Sequence, residues 1–273
     1  MISFDMSAAA PRGLKLAVAA TLLGSGLLLA QPASATIVRV QTVLGDFDVN
    51  LYDKGTPLTV ANFLAYVNSN AYANNVVHRS VPGFIIQTGG FRNPLPLVAV
   101  TERAAVTNEP VYSNVRGTIA MAKLGSNPNS ATSQWFISLA DNSANLDVQN
   151  GGFTAFGQVT GNGMAIVDAI AAVSRFDVGS GFTEIPLRNY TAGNTVTDNN
   201  LVLVQNVIVL DSNPDSAASL TPPRNTLISA PPPSGGSDDS GGGGSVGLAG
   251  LFALGLLVLG RRTLTRESRA LSR

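Results

Sequence analysis

The sequence predicts a mainly β domain, an antiparallel barrel or sandwich with helices packed on it. Three observations predict it. Short apolar runs bounded by Gly, Pro and Asn recur between residues 36 and 211, two separate stretches have helical periodicity, and strands and helices never alternate as a parallel α/β sheet requires. Closing such a sheet into a barrel would also remove exposed edges.

The elements follow in order. TIVRVQTVLGDFDVNLYD alternates apolar and polar residues around Leu44-Gly45-Asp46, which predicts a hairpin with strands at 37–42 and 46–52. In TPLTVANFLAYVNSN, Thr56 is placed to cap a helix and Pro57 suits its first position. Val60, Phe63, Leu64 and Val67 then fall on one face. Strands are expected at Val76–Arg79, Phe84–Thr88, Gly117–Lys123, Trp135–Leu139 and Ala155–Val159. GMAIVDAIAAV (Gly163–Val173) predicts a second helix with Val167, Ile170, Ala171 and Ser174 on one side, and LVLVQNVIVL (Leu201–Leu210) a last strand.

The two ends read differently. Arg12 and Lys15 precede the apolar stretch Leu16–Ala30, then Pro32 and Ala33-Ser34-Ala35. That order predicts a signal peptide over 1–35, cleaved after Ala35; a retained membrane anchor is the alternative. Residues 212–245 are rich in Pro, Ser, Gly and Asp, a composition that predicts a disordered linker. Residues 246–273 hold an apolar stretch, Val246–Gly260, followed by Arg261 and Arg262. Arginines there would stay on the cytoplasmic side of a membrane.

Composition excludes some functions. The formal net charge is zero, so no basic excess exists to displace counterions from nucleic acid. No cysteine is present, which removes disulfides, thiol nucleophiles and thiolate metal sites. The single histidine, His78, stands beside Arg79 and near no nucleophile motif.

Four ordered blocks carry a family likeness. VVHRSVPGFIIQTGGF closely resembles the cyclophilin signature F-H-R-V-I-P-G-F-M-I-Q-G-G-x-F. RGTIAMAK, NSATSQWFISLADNSANLD and FTAFGQV resemble the further blocks of that family, and EIPLRNY (Glu184–Tyr190) looks like its bacterial branch. The order and spacing match along most of Ile37–Leu210. The C-terminal end separately resembles GlyGly-CTERM sorting signals of Gram-negative bacteria, which a rhomboid-like protease cuts near the glycines; a permanent inner-membrane tail is the alternative.

The resemblance implies a closed eight-stranded antiparallel barrel capped by two helices over residues 36–211. It implies cis/trans isomerisation of X–Pro bonds in proline-containing polypeptides, exported clients here, by a monomer with no cofactor or metal. Both readings of the tail place the domain outside the cytoplasm, in the periplasm or at the surface of a Gram-negative cell. The same fold could instead hold proline segments without catalysis. Rotation about the bond must overcome amide resonance, a barrier of about 18–20 kcal/mol. No bond breaks, so a donor that favours the twisted state and a pocket for the ring suffice.

By the resemblance, Arg79 is that donor, because a guanidinium keeps its charge and offers several N–H groups in a fixed fork. Gln87 supports Arg79 and orients the substrate backbone or a water, and Gln134 takes a similar place. Phe84, Ile85, Phe136 and Leu146 match the apolar proline pocket. Ala122 and Lys123 stand where the family holds substrate through backbone groups; Asn is common at the second position, so Lys123 is a departure. Phe153 replaces the His or Tyr of many relatives. His78 is a motif position, read as structural or at the edge of the site, since no proton transfer is needed. Asn145 stands where cyclosporin-sensitive members have Trp, so cyclosporin is expected to bind weakly while catalysis is retained; a nanomolar inhibition constant would refute this.

Overall fold

The computed structural model describes residues 36–212 and 220–228. Strands β1 (Ile37–Thr42) and β2 (Gly45–Leu51) form the expected hairpin, registered from Ile37 opposite Asn50 to Thr42 opposite Gly45. Gly45 takes φ +126, open to a residue without Cβ. Alternation sends Val38 and Val40 inward, both fully buried.

Helix α1 (Pro57–Asn68) starts at Pro57 as the sequence predicts, and Val60, Phe63 and Val67 are buried. Leu64 is only half-buried, and Tyr66 joins the inward face. The cap differs from expectation. The Thr56 hydroxyl donates back to the Tyr52 carbonyl and makes no cap bond. Instead the Glu109 carboxylate accepts from Leu58 N (3.2 Å), Thr59 N (2.8 Å) and Thr59 Oγ1 (2.8 Å). A carboxylate there satisfies orphan amides and suits the positive end of the helix. Glu109→Ala is expected to cost about 1–2 kcal/mol, read by denaturant unfolding.

The remaining elements are β3 (Asn75–Val76), β4 (Arg79–Val81), β5 (Ile85–Thr88), β6 (Phe91–Arg92), β7 (Val98–Ala99), β8 (Thr118–Met121), β9 (Trp135–Ser138), α2 (Ser143–Leu146), β10 (Ala155–Val159), α3 (Gly163–Ala171), β11 (Arg175–Phe176), β12 (Ile185–Pro186) and β13 (Leu203–Asp211). One curled antiparallel sheet runs β4-β5-β9-β8-β10-β2-β1-β13-β3-β6-β7, and β11 pairs with β12. The fold is mainly β with few helices.

The strand expected at Val76–Arg79 is divided. Asn75 and Val76 pair with β13, whereas Arg79 pairs with β5. Between them Val77 N donates to Val202 O, and His78 N to Gln87 O. These residues change partners, so one uniform strand cannot form. Helix α3 ends at Ala171, leaving Ser174 exposed beyond it. Leu201 lies outside β13 and bridges Leu187 instead. Helix α2 is a single turn that apolar periodicity is too short to reveal.

The main core lies inside the curl. Phe63 of α1 stands 5.1 Å from Phe156 and 6.2 Å from Trp135, ring centre to ring centre. A second apolar cluster, described below, lies on the other side of the β8–β9 region. A third ties Ile185, Leu187 and Leu201 to Val76, so the stretch after β11 has its own small core.

Composition predicts disorder over 212–245, but Leu220–Ile228 is ordered against the domain. Arg224 bridges Tyr112, Ser113 N donates to Pro223 O (2.9 Å), and Asn225 N donates to Val111 O (3.0 Å). The physical reason is that residues 111–113 present backbone groups that this segment pairs, a long-range gain invisible to local composition. The apolar stretches Leu16–Ala30 and Val246–Gly260, the cleavage position at Ala35 and the rest of the linker lie outside the described residues. Among the described residues no helix is long and apolar enough to cross a membrane.

Candidate active site

Antiparallel register places directly opposed residues on one face of a sheet. Arg79 opposes Gln87, Gln87 opposes Phe136, Phe136 opposes Ala120, and Ala120 opposes Ala155. This row crosses five strands, β4, β5, β9, β8 and β10, and begins with a guanidinium, continues with an amide and ends on apolar ground. Ile85, two residues from Gln87, shares the face.

The expected pocket residues do meet. Ile85, Ala120, Phe136, Leu146, Phe153 and Ala155 form one buried cluster, with Phe84, Tyr112 and Ala122 packed on it. Phe153 meets Phe136 edge to face at 5.9 Å. Leu146 comes from α2, and Phe153 N donates to the Leu146 carbonyl (2.7 Å), so the two walls are one hydrogen-bonded turn. Two glycines after β5 allow the polar side to form. Gly89 has φ +82, and a Cβ on Gly90 would lie 2.8 Å from Gln134 Cδ. Gln87 Nε2 donates to Gln134 Oε1 at 2.9 Å, and Ala122 N donates to the Gln134 carbonyl (2.9 Å).

Arg79 is buried and is held by a residue the sequence reading gave no role. Its Nε donates to Glu184 Oε2 at 3.3 Å, and Ser80 N donates to the Glu184 carbonyl (2.9 Å). Glu184 sits in EIPLRNY, just before β12, where only contact across 105 residues assigns its purpose. The expected support of Arg79 by Gln87 is one of register, not of hydrogen bonding: the Gln87 amide goes to Gln134. Nη2 of Arg79 is buried without a hydrogen-bond partner. A buried guanidinium N–H without a partner is costly and therefore uncommon.

His78 lies beside the row rather than in it. It is buried, with Phe91 packed edge to face at 5.1 Å. Burial, with some help from the Arg79 charge, lowers its pKa to about 4. It is therefore neutral near pH 7 and has little surface with which to contact substrate.

Lys123 is more committed than its expected backbone role implies. Its ammonium donates to Asn150 O (2.7 Å) and Gly152 O (2.5 Å) and lies 4.7 Å from the Phe153 ring centre. Burial lowers its pKa to about 8. Sequence reasoning also missed Asn114, which donates to Asp147 Oδ1 (2.9 Å) and to the Phe153 carbonyl (3.0 Å). Asn145, in the one-turn helix beside Leu146, is half-buried.

Comparison with known proteins identifies the family. The family model for cyclophilin type peptidyl-prolyl cis-trans isomerase/CLD matches residues 37–191. A peptidyl-prolyl cis-trans isomerase of Acinetobacter baylyi is 41% identical over 157 residues, covering 56% of this chain and 81% of that protein. Peptidyl-prolyl cis-trans isomerase A of Dickeya dadantii is 39% identical over 155 residues, covering 54% of this chain and 76% of the relative. Isomerase B of Escherichia coli is 36% identical over 142 residues, covering 50% and 85%. The matched span contains Arg79, Gln87 and every wall of the pocket, and the chain belongs to the cyclophilin-type peptidyl-prolyl cis-trans isomerase family.

Proposed function

We propose that this chain accelerates rotation about X–Pro bonds of exported polypeptides, with the proline ring against Phe136, Leu146 and Phe153 and the Arg79 guanidinium at the rotating amide. The observation that carries the reading is the row from Arg79 through Gln87 to Phe136, which sets a cationic donor beside an apolar cluster. The Glu184 carboxylate takes the Arg79 Nε–H and leaves Nη2 without a protein partner, a donor suited to a substrate carbonyl or imide nitrogen. A donor to the imide nitrogen or the proline carbonyl stabilises the twisted amide more than the planar one. Gln87 and Gln134 act as a joined pair that orients the substrate backbone. The test is isomerisation of a proline tetrapeptide by the full chain; an unaccelerated rate would leave a binding module in place of an enzyme.

A closed barrel of eight strands is part of the same proposal. If β3 and β4 count as one interrupted strand, the order from β4 to β13 returns to its start; the two-residue spacing of β3 and β4 supports this. The chain acts as a monomer outside the cytoplasm, exported by its first 35 residues and tethered or sorted by its last 28. Fractionation with mass spectrometry of the mature C-terminus tests the tail; an intact tail ending in Arg273 would sink the sorting reading. Asn145 on the pocket turn, a small polar side chain, supports weak cyclosporin binding, read by inhibition of the same assay.

A further inference from the structure

We propose that the ordered segment Leu220–Ile228 is a built-in part of the substrate pocket, holding its Leu146–Phe153 wall in place. This rests on the isomerase reading of that pocket. The segment lies outside the residues matched to the family, 37–191, so the family pattern gives it no role. Its contacts converge on the wall from behind.

Asn225 Nδ2 donates to the Asp147 carbonyl at 2.9 Å, on the residue that ends α2 immediately after Leu146. The Asp147 carboxylate in turn accepts from the backbone and side chain of Asn114, and Asn114 donates onward to the Phe153 carbonyl. One uninterrupted set of hydrogen bonds thus runs from Asn225 to both walls. Ile228 closes the other side. A Cβ added to Gly152 would stand 3.1 Å from Ile228 Cδ1, so the residue before Phe153 lies tightly against the segment. Arg224 stacks over the Tyr112 ring at 5.6 Å, and Tyr112 packs on the pocket cluster.

The segment works alongside other bonds that reach the same turn. Residues 147–152 hold one turn of tight helix in which Asn150 takes φ 50 and Gly151 φ 74, and besides the Asn114–Asp147 bonds it is braced by Asn108, by Lys123 and by the Asn150 amide, which donates to the Leu124 carbonyl (2.7 Å). A turn of that kind relaxes when its backing is removed, and a pocket that relaxes binds the proline ring less well. Arg79, on the opposite side of the row, is untouched. The expected signature is therefore a binding defect with the rotation step preserved.

The experiment compares the full chain, the full chain lacking 220–228, and the full chain carrying Asn225→Ala with Arg224→Ala. Isomerase kinetics on a proline tetrapeptide should give KM raised roughly 5–20-fold on deletion and several-fold in the double variant, with kcat within twofold. Adding a synthetic peptide of sequence LTPPRNTLI, residues 220–228, to the deletion variant should restore KM. Unchanged KM in the double variant overturns the proposal, even if thermal stability falls, and so does a loss confined to kcat. If deletion prevents folding, the double variant decides alone. If the wild type accelerates nothing, the isomerase reading has failed; calorimetric titration of the tetrapeptide into the wild type and the double variant then decides the proposal by the same fold-change in affinity.

Discussion

Arg79→Ala is expected to lower kcat/KM for a proline tetrapeptide by roughly 10²–10³-fold, the loss typical of removing one preorganised donor. The far-ultraviolet spectrum should stay the same. The reaction makes no covalent intermediate, so little else in the site can compensate. The barrier is resonance, and each 1.36 kcal/mol of stabilisation lost from the twisted amide costs a factor of ten. Arg79 also leaves a partner behind. Glu184 keeps about a third of its side chain exposed, so its carboxylate stays hydrated when the guanidinium goes and the fold survives. Arg79→Lys should recover only part of the rate, because an ammonium keeps the charge but loses the planar fork that engages Glu184 and substrate together. Full activity in Arg79→Ala would remove the donor role and shift attention to the pocket alone.

His78 should make the domain sensitive to acid without making catalysis so. Its folded pKa is about 4, against an ordinary value of 6.5, because it is buried, with Arg79 adding like charge. The unfolded chain therefore binds a proton between those values and the folded chain does not. Stability is present in full above about pH 6.5 and falls as pH drops towards 4, by about 3 kcal/mol in total. His78→Gln removes that titration. Denaturant unfolding at pH 7 and pH 4.5 should show a wild-type loss that the variant lacks, so the stability difference between the two proteins narrows in acid. Parallel pH curves for the two proteins would sink the idea. The rate of isomerisation should not follow this titration, since the imidazole is already neutral where the enzyme works and transfers no proton.

Much of the site was legible because it lies on regular strands. Arg79, Gln87 and Phe136 belong to short runs whose alternation fixes which side chains share a face, and the four motif blocks located them in order. The hairpin, α1 and α3 were readable for the same reason: periodicity acts over neighbours in the chain. What was not legible depends on contacts across long separations. Glu184 reaches Arg79 over 105 residues, and nothing in EIPLRNY signals a carboxylate aimed at a guanidinium. Lys123 looked like a substitution at a backbone contact, yet its ammonium braces two carbonyls that come close only when the 147–152 turn forms. The Pro- and Ser-rich stretch around Arg224 was assigned by composition, which measures what a segment can bury by itself and not what an existing surface offers it.

The cap on α1 has a consequence for the order of folding. Glu109 serves amides some fifty residues earlier, so the first turn of that helix gains its partner only after a long loop has closed. Loop closure is the slow, entropically opposed part of such a contact. The cap is expected to form after local pairings such as the β1–β2 hairpin have closed. In stopped-flow experiments Glu109→Ala should therefore speed unfolding several-fold and leave the refolding rate almost unchanged, making this carboxylate a brake on opening and not a seed of the fold.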